Sequence, residues 1–169
     1  MLVKKLAILG CTSRKQSFAC SAEEMYSVSP LFRLQVEFVK KHYDFWLILS
    51  AKYGLLQPQD IIEPYNERSS SNDVWPVLVS MSLLQWMSFD IDAFLPMTYV
   101  RKILFCDIRF LKLANIHSKA EELAAWKNLS QRSPTETIEE LINQKILIPR
   151  LFQDILDEKE GRNEPFESS

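Results

Sequence analysis

The sequence predicts an α/β fold in three layers, a mostly parallel central sheet flanked by helices, with a C-terminal helical hairpin. Three observations predict it. Two short runs, Lys5–Gly10 and Phe45–Ser50, are apolar on both faces, as strands buried beneath helices are. Amphipathic stretches alternate with such runs, the order expected of a parallel sheet covered by helices. Hydrophobic residues at 47% and charged residues at 25% of the 169 positions give the balance of one globular domain.

The elements follow in chain order. Lys5–Gly10 is a strand that ends in a tight turn, and Cys11 to Ala22 is a polar, basic loop. Pro30 opens a helix capped by Ser29, because proline is tolerated at a first helical position and a serine hydroxyl accepts from an unpaired amide. Leu31, Leu34 and Phe38 keep helical spacing on its apolar side. Phe45–Ser50 is the clearest strand. Tyr53-Gly54-Leu55-Leu56 breaks it, Gly54 suggesting a positive φ, and Pro58 and Pro64 keep the next stretch irregular. Ser69 to Asn72 reads as a polar turn, and the pattern from Asp73 to about Trp86 as a helix. Arg101–Asp107 reads as a third strand, followed by helices near 109–127, 135–145 and 149–159. The four tryptophans fall at apolar positions and read as core.

This divides the chain into an α/β core at 1–127, a helical extension at 128–160 and an acidic tail at 161–169, with Asn128–Pro134 as linker. The last two helices carry Leu141, Ile142, Ile146, Leu147, Leu151 and Phe152, so they must pack on the body or on another subunit, which makes a homo-oligomer one expectation.

Bulk properties narrow the function. A domain of this size buries roughly two-thirds of its unfolded surface and needs neither disulfide nor metal for its core. A net charge of −2 disfavours a nucleic-acid partner, although the first quarter is locally basic. No apolar run approaches a membrane span, and no signal peptide opens the chain. Three cysteines, Cys11, Cys20 and Cys106, form no close pairs, so a cytoplasmic protein with reduced thiols is expected. These cysteines and His42 and His117 show no zinc-site spacing; neither metal nor cofactor is expected.

Three constellations carry candidate chemistry. Because ligands of such sheets bind beyond the carboxyl ends of the strands, Gly10–Lys15 and Ser50–Gly54 should share one rim. In the first, Gly10 permits close backbone approach, Cys11 is a small thiol, Thr12 and Ser13 offer hydroxyls, and Arg14 and Lys15 add charge for a phosphate, carboxylate or base edge. The spacing is not that of a Walker loop, and a plain polar loop explains these residues equally well. The second is Tyr26 and Ser27, ahead of the Ser29 cap, where a tyrosine can stack on a planar ligand. The third joins Ser50, Lys52, Tyr53 and Gly54 to Glu63 and Tyr65: a lysine and a fixed carboxylate could polarise a leaving group and activate water. A surface Lys–Glu pair of little energetic weight is the competing reading.

These motifs resemble a bacterial and phage family without an assigned activity, whose hallmarks are a first strand ending in a cysteine and a lysine, then "LY-S-SPLF", "ILSAKYGLL" and "EPY". The matching residues are Cys11, Lys15, Tyr26, Ser27, Ser29, Phe32, Ser50, Ala51, Lys52, Gly54, Glu63 and Tyr65. The resemblance covers residues 4–66. The chain is more distantly similar to the core of archaeosine synthase, with its uracil-DNA-glycosylase-like fold, through Cys11, Tyr26, Ser27 and Ser29; Glu24 and Met25 stand where that core has Lys-Pro. That likeness implies a three-layer fold and a pocket shaped for a base or nucleotide.

The leading expectation is an enzyme acting on a nucleobase, nucleoside or nucleotide, a hydrolase of an N-glycosidic or phosphoester bond. Glu63 and Lys52 would be catalytic, the Gly10–Lys15 loop would hold the anion and Tyr26 would stack on the base. A non-catalytic module for a small nucleotide-like ligand ranks second and a DNA-associated protein third.

Overall fold

The computed structural model describes residues 3–66, 74–106 and 115–132. The elements run β1 (Lys5–Gly10), β2 (Cys20–Ser21), α1 (Ala22–Met25), α2 (Pro30–His42), β3 (Phe45–Ser50), β4 (Gly54–Leu56), β5 (Ile61–Ile62), α3 (Trp75–Leu83, continued by a 3₁₀ turn at Leu84–Trp86), β6 (Asp90–Phe94), α4 (Met97–Cys106), β7 (Asn115–Ser118) and α5 (Ala120–Arg132). Five strands form one sheet in the order β4-β3-β1-β6-β7. All pair in parallel except β4, which folds back on β3 as an antiparallel edge. The expected α/β architecture with a mostly parallel sheet is therefore present.

Alternation along the strands divides the core in two. Ala7, Leu9, Ile48 and Phe94 face a cluster built on α2 and α5, with Phe32, Phe38 and Trp126 among its members. Leu6, Ile8, Leu47, Leu49, Ile91 and Ala93 face a second cluster beneath α3 and α4, with Trp75, Val79 and Ile103. Side chains of a strand point alternately to opposite faces, so strands apolar throughout need a helix layer on each side. α2 begins as expected: Pro30 occupies its first turn and the Ser29 hydroxyl accepts from the Phe32 amide. Gly54 has φ +74°, as its place in the β3–β4 turn requires.

The structure corrects the chain after Trp86. Arg101–Cys106 lies in helix α4, and the third parallel strand is Asp90–Phe94. A short apolar run does not distinguish strand from buried helix, and Asp90 and Asp92 disguised the true strand. Asp92 is buried because its carboxylate accepts from the Tyr43 hydroxyl at 2.5 Å and pairs with Lys5 Nζ at 3.7 Å. Part of the stretch expected as one helix at 109–127 is strand β7, which carries His117, and α5 continues through Arg132 into the expected linker. The polar turn at Ser69–Asn72, the helices at 135–145 and 149–159 and the acidic tail lie outside the described residues.

Candidate functional site

Strand order places the site. From β1 the chain passes to β3 on one side, and β6 lies on the other, so the order reverses at β1. The carboxyl ends of the strands at such a reversal diverge and leave a crevice. A cavity of about 100 Å³ occupies that position. Gly10, Cys11 and Thr12 line it from β1, Leu49 and Ala51 from β3, and Phe94 to Pro96 from β6; Trp75, Tyr99 and Lys127 enter from α3, α4 and α5. No side chain fills the place above Gly10: a Cβ there would meet Leu95 at an ordinary 3.6 Å.

One polar group in this mostly apolar wall is unsatisfied. Gln35 projects from α2 into the lining, is 3% exposed, and its Nε2 has no hydrogen-bond partner among the described residues. A buried donor without an acceptor costs about 1–3 kcal/mol. Sequence reasoning did not select Gln35. Its signal was a polar residue between Leu31 and Phe38 at the i, i+4, i+7 positions of an apolar helical stripe. Trp75, Tyr99 and Lys127 were also missed, because their approach depends on packing.

Beside the cavity lies a chain of three buried hydroxyls. Tyr26 and Tyr65, 39 residues apart, meet with their oxygens 2.5 Å apart. The Ser50 hydroxyl donates to the Tyr65 oxygen at 2.7 Å and accepts from the backbone N–H groups of Lys52 and Tyr53 at 3.2 and 3.0 Å. The Trp75 indole N–H donates to the Ser50 carbonyl at 2.9 Å, fixing α3 against the end of β3. Lys15 Nζ lies 4.5 Å from the centre of the Tyr65 ring. Burial pushes the Tyr26 phenol up to about 12, and the neighbouring Cys11 adds to the rise against the lowering hydrogen bonds. Burial, then Cys11, raise Tyr65 further still. Both phenols are therefore neutral at physiological pH.

The three constellations are thus brought together only in part. Cys11, Lys15, Tyr26, Ser50 and Tyr65 converge, and Gly10, Cys11 and Thr12 line the cavity. Tyr26 is fully buried against Phe32, with ring centres 5.6 Å apart, so its ring has no open face for a ligand. Ser27 turns its hydroxyl to the Glu24 carbonyl at 2.7 Å, Thr12 donates to the Arg14 carbonyl, and Ser13 is exposed. Lys52 and Glu63 both reach Tyr53, Lys52 Nζ lying 5.3 Å from its ring centre and the Glu63 amide donating to its hydroxyl at 3.4 Å. Glu63 is exposed, and neither residue lines the cavity. Gly54 serves the turn, while Tyr53 packs edge-on to Tyr65 at 5.6 Å. Among the described residues no three His, Cys, Asp or Glu side chains gather as a metal site, and no helix is long and apolar enough to cross a membrane. Cys11 and Cys20 are free thiols, and burial raises Cys20, with Glu24 adding to the effect.

Comparison with known proteins agrees with the motif reading at the level of a family. Residues 6–80 match the model of a family of unknown function, DUF6884. The chain is 33% identical over 66 residues to the uncharacterized protein YfjM of Bacillus subtilis (strain 168), an overlap of 36% of this chain. It spans 43% of the length of that relative. No solved structure matches the chain. The likeness to the archaeosine synthase core is not brought out by these comparisons. The matched region holds β1 through most of α3, and so Gln35 and all three hydroxyls.

Proposed function

We propose that this chain binds a nucleobase, nucleoside or nucleotide at the carboxyl ends of β1, β3 and β6 and hydrolyses an N-glycosidic or phosphoester bond in it. The observation that carries the binding is the unsatisfied amide of Gln35 in an otherwise apolar wall. A heterocycle supplies what the wall lacks, a ring carbonyl or ring nitrogen to accept from Nε2, and presents flat faces to Trp75, Phe94 and Tyr99. At about 100 Å³ the cavity is smaller than the pockets that enclose whole drug-sized ligands. A ring is the part it suits, with sugar or phosphate projecting toward Lys127 and the Arg14–Lys15 loop. Lys52 and Glu63 stand outside the lining, so their chemistry would fall on that projecting part, with Glu63 positioning water and Lys52 steadying charge.

A panel of bases, nucleosides, nucleotides and short oligonucleotides, followed by thermal shift and by mass spectrometry of the same samples, tests both halves. A shift with a new product mass is the expected result, abolished as chemistry but retained as binding in Glu63→Gln. A shift with every mass unchanged would leave a capture module. Gln35→Met separates the amide from the fold: it keeps the side-chain length and removes the orphaned donor. It should raise stability by about 1 kcal/mol while weakening the ligand shift. A Gln35→Met variant that binds the panel as the parent does would remove the amide from recognition.

A further inference from the structure

Helix α3 is apolar on both of its sides. Trp75, Val79 and Leu83 belong to the core beneath the sheet. On the outer side Val77, Leu78, Met81 and Leu84 form a stripe at helical spacing that stays exposed, Leu78 at 54% and Met81 at 62%. From Val74 to Trp86 no residue carries a charge. A helix that is hydrophobic all round is normally covered, and a contiguous apolar stripe on a surface marks an interaction. The chain holds a cover of its own. Residues 133–169 lie outside the described residues, and their sequence sets Leu141, Ile142, Ile146, Ile148, Leu151 and Phe152 among Lys145, Arg150 and Asp154.

Where α5 stops decides what that segment can reach. Ahead of α5, Lys119 donates its N–H to the Ala93 carbonyl at the carboxyl end of β6. With Leu123 at the cavity and Trp126 against Phe38 of α2, the helix runs back toward the amino edge of the sheet. α3 begins beside the Ser50 carbonyl at the carboxyl end of β3 and leads into β6, so it too ends at the amino edge, on the opposite face. Chain from Arg132 to Leu141 can span about 30 Å, against roughly 20 Å between helix layers on the two faces of a sheet. We propose that the outer face of α3 is the docking surface for the chain's own C-terminal segment, residues 141–155. A tethered segment meets that face at an effective concentration in the millimolar range, which a second copy does not approach. The stripe alone is also too narrow for a second copy, since a stable interface takes about 800 Å² per partner. Docking on α3 does not depend on what the cavity binds.

Benzoylphenylalanine in place of the exposed Met81, photolysed in the full chain and digested with trypsin, tests it. The expected product has the mass of one chain and joins α3 to a tryptic peptide carrying residues from 141–155. A doubled mass, which a second copy would give, a junction elsewhere in the chain, or no junction overturns the docking. Leu78→Glu places a charge on the stripe at a half-exposed position, so the fold stands while the segment is released. Trypsin acts on the released form, and cleavage after Lys145 and Arg150 should quicken about tenfold or more, the scale of one buried leucine. Cleavage at the parent's rate overturns it as well.

Discussion

At the scale of residues, the two tyrosines show how burial changes a side chain's use. Tyr26 and Tyr65 stand in separate motifs, Tyr26 reading alone as a ligand stacker and Tyr65 as a member of the lysine–carboxylate constellation; the fold turns them toward each other. Their ionisation follows from that. Below about pH 10 the phenols are neutral in both the folded and unfolded chain and contribute no pH dependence. Above it the unfolded chain loses protons that folded Tyr26 keeps until about 12, so stability falls as pH rises across that window. The limiting slope is about 1.4 kcal/mol per pH unit for each such phenol. Spectrophotometric titration checks this. Near pH 11, native absorbance should fall short of that of the denatured chain, and Tyr26→Phe should reduce that shortfall; coincident titration curves would show the pair to be wetter than the structure has it. The site was legible in sequence where motif residues end a strand or directly follow one, as Ser50 and Cys11 do. Gln35 was not, because a glutamine within an apolar stripe gains meaning only from the cavity it faces.

Elements were legible in proportion to how little they depend on distant partners. β1 and β3 were read with their observed bounds and α2 with its observed start, since the strands are apolar on both faces and Ser29-Pro30 is a local start signal. β6 was not legible, because Asp92 is compatible with a buried strand only once Lys5 and Tyr43 meet it. The β3–β4 turn is the local case that can be tested most directly. Gly54 holds φ +74°, and a Cβ there would lie 3.8 Å from the nearest Val79 methyl, an ordinary contact. Gly54→Ala therefore meets no steric obstacle beyond its own backbone, and the cost should be conformational alone, about 1–2 kcal/mol. Asparagine tolerates this region better, so Gly54→Asn should lose less. Urea unfolding measures both; a loss well beyond that range in Gly54→Ala would mean that the turn also needs the space.

For the molecule as a whole, an unsatisfied donor from α2 lines the cavity at the carboxyl rim of the sheet, and a satisfied charge cluster lies within the sheet. Lys5 of β1, Asp92 of β6 and Tyr43 after α2 join two central strands to the helix layer above them, all nearly free of solvent. Lys5 also donates its backbone N–H to Asp44 at 2.8 Å, which ties the start of β1 to the loop leading into β3. Removing one member of a buried pair leaves the other charge uncompensated, which typically costs about 3–5 kcal/mol, whereas replacing both by apolar groups is often neutral or favourable. Asp92→Ala should thus be the most damaging of the substitutions considered, a large fraction of the stability of a domain this size. Asp92→Asn, which keeps an acceptor for Tyr43, should cost less. The double variant Lys5→Met/Asp92→Leu should recover much of the loss, because neither β1 nor β6 would then bury a charge. Denaturant unfolding of the three variants distinguishes a charge pair from a packing defect: if the double variant is no more stable than Asp92→Ala, the cluster holds the sheet through its shape and hydrogen bonds, and the Lys5 charge is not what demands a partner.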